Sequence, residues 1–170
     1  RNNQTSCASQ GKPDEIIKSC TALIERSAKT SENLAIRGRA YHAKGEEDLA
    51  IQDFDHAIQL SPNYAEAYYG RGLAYWALGK RDRFFDFNLL LTPNGKERIL
   101  FPEVPAMRDF DRAIELKPEL AQFDPELPLA LVKLGTAYHG NRHDDYAIQA
   151  LSLAIKIKPD SVEAIYLRGT

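Results

Sequence analysis

The chain is poor in the residues that most often carry chemistry or special environments. It has two cysteines, one methionine and one tryptophan, and a formal charge of −2 from Lys and Arg scattered among Asp and Glu. Without a basic face there is nothing to draw in a phosphate backbone or an anionic lipid surface, which argues against nucleic acid and membrane surface as partners. No apolar run approaches the roughly 18 residues needed to cross a bilayer. The sequence begins at Arg1 with neither an initiator Met nor a charged-then-apolar leader, which reads as a mature or trimmed product. Cys7 and Cys20 lie too far apart along the chain for a redox pair and lack the companions of a zinc site. A disulfide or two unrelated thiols remain at this point.

The catalytic inventory is equally thin. There is no Gly-x-Ser-x-Gly, no Cys-His pairing and no paired-carboxylate cleft, so no catalytic residue, metal or cofactor is expected. Gly70-Arg71-Gly72 falls short of a nucleotide loop because the third glycine is missing and no strand precedes it. His139 and His143, with Asp144 beside them, read as turn residues rather than metal ligands, since Gly140-Asn141 breaks the helix between them. Asp109 and Asp111 read as exposed helix charges.

What the sequence does have is repetition. Leu34-Ala-Ile-Arg37-Gly38-Arg-Ala-Tyr41 returns as Tyr68-Tyr-Gly-Arg71-Gly72-Leu-Ala-Tyr75, and again as Leu131-Val-Lys-Leu134-Gly135-Thr-Ala-Tyr138. The first displacement is about 34 residues, within the range of periods that mark stacked repeats. Each copy is followed by a second signature: Ala50, Phe54, Ala57, Ile58 and Pro62; Ala106, Phe110, Ala113, Ile114 and Pro118; Ala147, Leu151, Ala154, Ile155 and Pro159. Apolar residues three and four apart place each half on one stripe of an α-helix. Each repeat is therefore a pair of helices, A and B. Gly38, Gly72 and Gly135 on helix A, and Ala57, Ala113 and Ala154 on helix B, open the space for close antiparallel packing. Gly45 and Gly79 stand where helix A should end, and each proline stops a helix B.

This pattern resembles the tetratricopeptide repeat family, with Arg37 and Arg71 in place of the usual Leu. The resemblance implies an all-α fold, a right-handed superhelix of antiparallel helix pairs. The repeats fall at 31–64, at 65–120 and at 121–161, with 162–170 as the start of a fourth repeat or a capping helix. Residues 1–30 form an extension and a half-repeat, because Ile16, Cys20, Leu23 and Ile24 stand one repeat length before Ala50, Phe54, Ala57 and Ile58. Cys20 thus takes the buried Phe position, and a bond to Cys7 would tether the strip of chain before it. The stretch from Cys7 to Ile24 also resembles the N-terminal part of secreted tetratricopeptide proteins of the bacterial envelope. That implies a disulfide and a periplasmic or secreted setting, with a cytoplasmic one as the alternative.

Two departures interrupt the array. The second repeat carries an insertion at about 80–105, between Gly79 and Ala106. Its apolar runs at 85–91 and 98–101 flank Thr92-Pro-Asn94-Gly95, a hairpin signal. A β-hairpin-like flap is expected, covering apolar surface on this chain or, as a homodimer contact, on a second copy. A smaller insertion precedes the third repeat, where Asp124-Pro125-Glu126 suggests that helix A begins a turn early.

The resemblance implies a non-catalytic scaffold that binds a protein or peptide in a groove lined by the A helices. Matching positions hold Ala35, Tyr69 and Val132, then Arg39, Leu73 and Thr136, then His42, Trp76 and His139, with Lys133 beside them. Aromatic anchors favour an interface, and Arg39 and Lys133 favour an acidic partner. The Lys-Asn-Arg clamp of chaperone-binding family members is not matched, since its places hold Ala35, Arg39, Gly70, Leu129 and Lys133. The competing reading is an enzyme or small-ligand site built by the 80–105 insertion, which contains no His, Cys or Ser.

Overall fold

The structure is a computed structural model and describes residues 7, 10–26, 30–81, 103–122, 127–140 and 142–169. Among these residues the regular structure is helical, with no strand. Contacts divide the chain into two compact units, 1–116 and 117–170.

The first unit holds five helices: α1 (Pro13–Glu25), α2 (Ser31–Ala43), α3 (Glu47–Leu60), α4 (Ala65–Arg81) and α5 (Glu103–Leu116). Each packs on its sequence neighbour, and α2 also touches α4. α2 starts where Thr30 turns its hydroxyl to accept from the Asn33 amide at 3.1 Å, satisfying a donor that the first turn would otherwise leave open. It ends at a tight turn in which Gly45 takes φ +75°, a conformation that costs a residue with a side chain about 1–2 kcal/mol. α3 ends at Leu60, two residues before Pro62, because the residue before a proline is pushed out of the helical region.

The core of this unit follows the repeat signature. Leu34, Ala35, Ala50, Phe54, Ala57, Ala67 and Ala74 form one buried cluster, joined by half-buried Ile24, Tyr41, Ile58 and Tyr64. The small residues work as expected. A side-chain carbon added at Gly38 would lie 3.1 Å from the Phe54 ring, one at Gly70 would overlap that ring from the next helix A, and one at Gly72 would lie 2.8 Å from Phe110. Phe54 is therefore clamped between two successive A helices, and its full burial contributes on the order of 2 kcal/mol.

Ahead of α2, Cys7 and Cys20 are disulfide-bonded, with Cα atoms 4.9 Å apart. Both are buried with Ile36, and the Cys7 amide donates to Asn33 Oδ1 at 2.9 Å. The half-repeat helix α1 thus holds Cys7 against its buried face through Cys20.

The second unit holds a short 3-10 turn (Pro118–Gln122), α6 (Leu127–Gly140), α7 (Asp144–Ile157) and α8 (Val162–Arg168). α6 packs on α7 and α7 on α8. Leu131, Leu134, Ala147, Leu151 and Ala154 are buried, and Leu151 lies 2.7 Å from where a Gly135 side-chain carbon would stand.

Two expectations change, and two fall outside the described residues. The hairpin expected over 85–101 lies outside the described residues; the described ends of the 80–105 insertion, 80–81 and 103–105, are helical. Gly79 does not end helix A. α4 runs through it to Arg81. In the third repeat the left-handed position is filled by Arg142, at φ 62°, and α6 continues through Gly140. The early start expected for α6 at Asp124–Glu126 also lies outside the described residues.

Candidate functional site

Two of the A helices, α2 and α4, are held in place by ion pairs to buried carboxylates. On α2, Arg37 Nε and Nη2 each donate to the Asp53 carboxylate of α3 at 2.7 Å, and Nη1 donates to Thr21 Oγ1 of α1 at 3.1 Å. On α4, Arg71 makes the same two bonds to Asp109 of α5, both 2.7 Å, and Nη1 reaches Asp55 of α3. Thr21 and Asp55 stand one repeat length apart, at the same repeat position. Each arginine therefore clasps the B helix of its own repeat with two bonds and that of the preceding repeat with a third. Fork-to-carboxylate geometry gives such pairs direction as well as strength.

The electrostatics follow from the burial. The hydrogen bond to Asp53 holds the Arg37 guanidinium above its ordinary pKa, and the bond to Asp109 does the same for Arg71, in each case against desolvation. Burial pushes the Asp109 carboxyl up, and the Arg71 hydrogen bond opposes it. Asp109 is 5% exposed, so its expected place among exposed helix charges is corrected; Asp111 is half-buried. The reason is positional: the residue just before the core aromatic on helix B faces the A-helix arginine. The third repeat lacks the clasp, with Leu134 and Ala150 in the two places and Leu151 for the aromatic.

The turns between A and B helices carry a second recurring pair. His42 Nδ1 lies 2.7 Å from Glu47 Oε2, and His139 Nδ1 lies 3.0 Å from Asp144 Oδ1. Both histidines end a helix A and both carboxylates open the next helix B, so the imidazoles latch the turn.

Against that frame, the expected contact residues divide. Arg39 on α2 is exposed, and Tyr69 and Leu73 on α4 are half-buried. Trp76 is 8% exposed, its ring 6.4 Å edge-on from Phe110, while the Tyr69 ring lies 5.5 Å from the same Phe110. Trp76 therefore spends most of its surface inside the first unit. Ala35 and Val132 are buried. In the second unit Lys133, Thr136 and His139 are exposed. α2 and α4 pack together and bring Arg39, His42, Tyr69, Leu73 and Trp76 onto consecutive A helices; Lys133 and His139 belong to α6. Sequence reasoning missed the clasps. The available signal was the co-occurrence of Arg with Asp-Phe in two repeats and of Leu with Ala-Leu in the third.

No group of three or more His, Cys, Asp or Glu that could hold a metal occurs among the described residues, and no described helix is long and apolar enough to cross a membrane.

Comparison with known proteins agrees with the repeat architecture. The sequence profile of the TPR repeat family matches residues 38–79. Two structures of MamA share 23% and 24% identity with the chain, each over 90% of it and over 72% and 68% of their own length, at TM-scores of 0.57 and 0.56. YrrB, described as a TPR protein with an unusual peptide-binding site, shares 18% identity over 93% of this chain and 66% of its own, at a TM-score of 0.52. At these identities the likeness is one of fold. No curated protein sequence matches the chain.

Proposed function

From a chain that carries tetratricopeptide repeats, we infer a non-catalytic scaffold that takes a peptide or protein segment along the face of its consecutive A helices. Such repeats generally serve protein interaction, and YrrB is a relative in fold with a peptide-binding site. The observation that carries the reading is on α2 and α4. Arg39 is open to solvent, Tyr69 and Leu73 are half open, and the helices bearing them are fixed by the Arg37 and Arg71 clasps. A rigid frame presenting mixed apolar and cationic side chains lowers the ordering cost of binding. Arg39, exposed on this face, favours a segment carrying carboxylates. Trp76 contributes mainly by packing edge-on against Phe110, on which Tyr69 also rests. An oxidising setting, periplasmic or extracellular, fits the Cys7–Cys20 bond, since reduced thiols prevail in the cytosol.

The test uses the immobilised chain and a mixture of synthetic peptides of matched length, acidic and basic, with retained peptides identified by mass. Acidic peptides should be retained, and the Arg39→Glu variant should lose them at unchanged melting temperature. Retention untouched by Arg39→Glu and by Leu73→Ala would move the site off this face.

A further inference from the structure

Where α3 packs on α4, the centre of the contact is the Phe54 ring, set into the space that Gly70 leaves on the following helix A. One repeat length earlier, where α1 packs on α2, the matching residues are Cys20 and Ile36. With an Ile side chain in the place of Gly70, the residue opposite has to be small. Cys7 completes the cluster, and Ile16, Leu23 and Ile24 pack around it half-buried. A covalent bond between two buried sulfurs thus stands where the next contact has an aromatic ring.

The remaining links between α1 and α2 are weak. Among the described residues they are the hydrogen bond from Arg37 Nη1 to Thr21 Oγ1, at 3.1 Å, and an ion pair of 2.8 Å from Lys44 to the exposed Asp14. An exposed pair of that kind contributes little, and a helix of 13 residues is marginal in water by itself. Cys7 is held by its bond to Cys20 and by its amide, which donates to Asn33 Oδ1 at 2.9 Å. α2, in contrast, keeps its place without α1. Arg37 retains both bonds to Asp53, and Leu34 and Ala35 belong to the cluster around Phe54.

We propose that Cys7–Cys20 is a redox switch, by which two-electron reduction with a dithiol lets α1 open from α2 while the α2–α5 frame stays folded. The dithiol's thiolate attacks Cys7 Sγ, since Cys7 is the less buried of the two. The S–S bond breaks, and Cys20 leaves as a thiolate that takes up a proton. The second thiol of the reductant loses its proton and attacks its own sulfur in the mixed disulfide. That releases Cys7 as a thiol and leaves the reductant as an intramolecular disulfide. The open form of α1 is then no longer restrained by the cross-link, and its population rises on the order of a hundredfold by the loop-closure estimate. Opening bares Ile36 and the Asn33 side chain, so the redox state decides whether this edge of α2 meets solvent. The α2–α4 face is not involved, and a failure of peptide capture there leaves this proposal untouched.

The experiment follows hydrogen exchange of the full chain by mass spectrometry, before and after incubation with dithiothreitol in native buffer. Reduction, counted as two new thiols, should speed exchange in α1 on the order of a hundredfold and change that of α3 and α5 by less than about twofold. Re-oxidation should restore the protection. A chain carrying both Cys7→Ala and Cys20→Ala should match the reduced protein, with or without dithiothreitol. A bond that dithiothreitol leaves intact in the folded chain overturns the proposal. So does α1 exchange unchanged by reduction, or a double variant as protected as the oxidised chain, since either makes the bond dispensable. Loss of protection in α1, α3 and α5 together also overturns it, because the bond would then staple the whole unit.

Discussion

Replacing the Arg71–Asp109 clasp by the residues of the third repeat tests the reasoning about the frame. Asp109 is buried and Arg71 mostly so, and two charge-assisted bonds of 2.7 Å join them. Breaking a buried pair strands one charge, at a typical cost of about 3–5 kcal/mol. Asp109→Ala should fall at the low end, about 3 kcal/mol, because Arg71 keeps Asp55. Arg71→Leu should cost about 4 kcal/mol, since it leaves the Asp109 carboxylate with no guanidinium. The double variant copies Leu134 and Ala150 and should return to within about 1 kcal/mol of the parent chain, as apolar replacement of buried pairs often does. The pH dependence supplies an internal check. Burial raises the folded pKa of Asp109 and Arg71 opposes the rise, so without Arg71 it goes further above its unfolded value. A carboxyl raised in the folded state loses stability as pH climbs through that folded pKa, and regains it on acidification. The deficit of Arg71→Leu should therefore shrink from pH 7 towards pH 4. Urea denaturation followed by circular dichroism at both pH values measures all four species. Additive single effects, with a double variant as unstable as their sum, would refute the account.

Reduction of Cys7–Cys20 should release two thiols by mass and remove on the order of 3 kcal/mol by the chain-entropy estimate; free thiols in the unreduced protein would contradict the tether. Gly72→Ala gains helix propensity of about 1 kcal/mol but sets a methyl 2.8 Å from Phe110, an overpacking of about 1–3 kcal/mol, so melting should fall; a rise would mean that Phe110 moves freely. Arg142→Gly should raise stability by about 1 kcal/mol, because Arg142 holds a left-handed φ of 62°, and unchanged or lowered melting would show that its side chain offsets the strain.

The sequence by itself determined the helices and their pairing. A period of about 34 residues, with Ala, Gly and Phe at fixed places, leaves an antiparallel helix pair as the arrangement that buries every apolar stripe. Residues 50, 54 and 57 form the core as their spacing requires. Cys20 at the Phe position likewise pointed to its burial and to the tether. Individual turns were less legible. Gly79 carried a stop signal, but a glycine permits the left-handed helix ending without imposing it, and α4 runs past it; Arg142 took a left-handed conformation that sequence rules most often give to Gly. The expected contact residues were the least legible, because position on helix A does not fix exposure. Trp76 and Tyr69 turn onto Phe110, whereas Arg39 stays in water. Only the tertiary structure decided that Asp53 and Asp109 meet Arg37 and Arg71, since a charge becomes a clasp only where its partner lies within about 3 Å and water is excluded. Their separation along the chain, 16 residues in one repeat and 38 in the other, concealed that the two pairs occupy the same place in the fold.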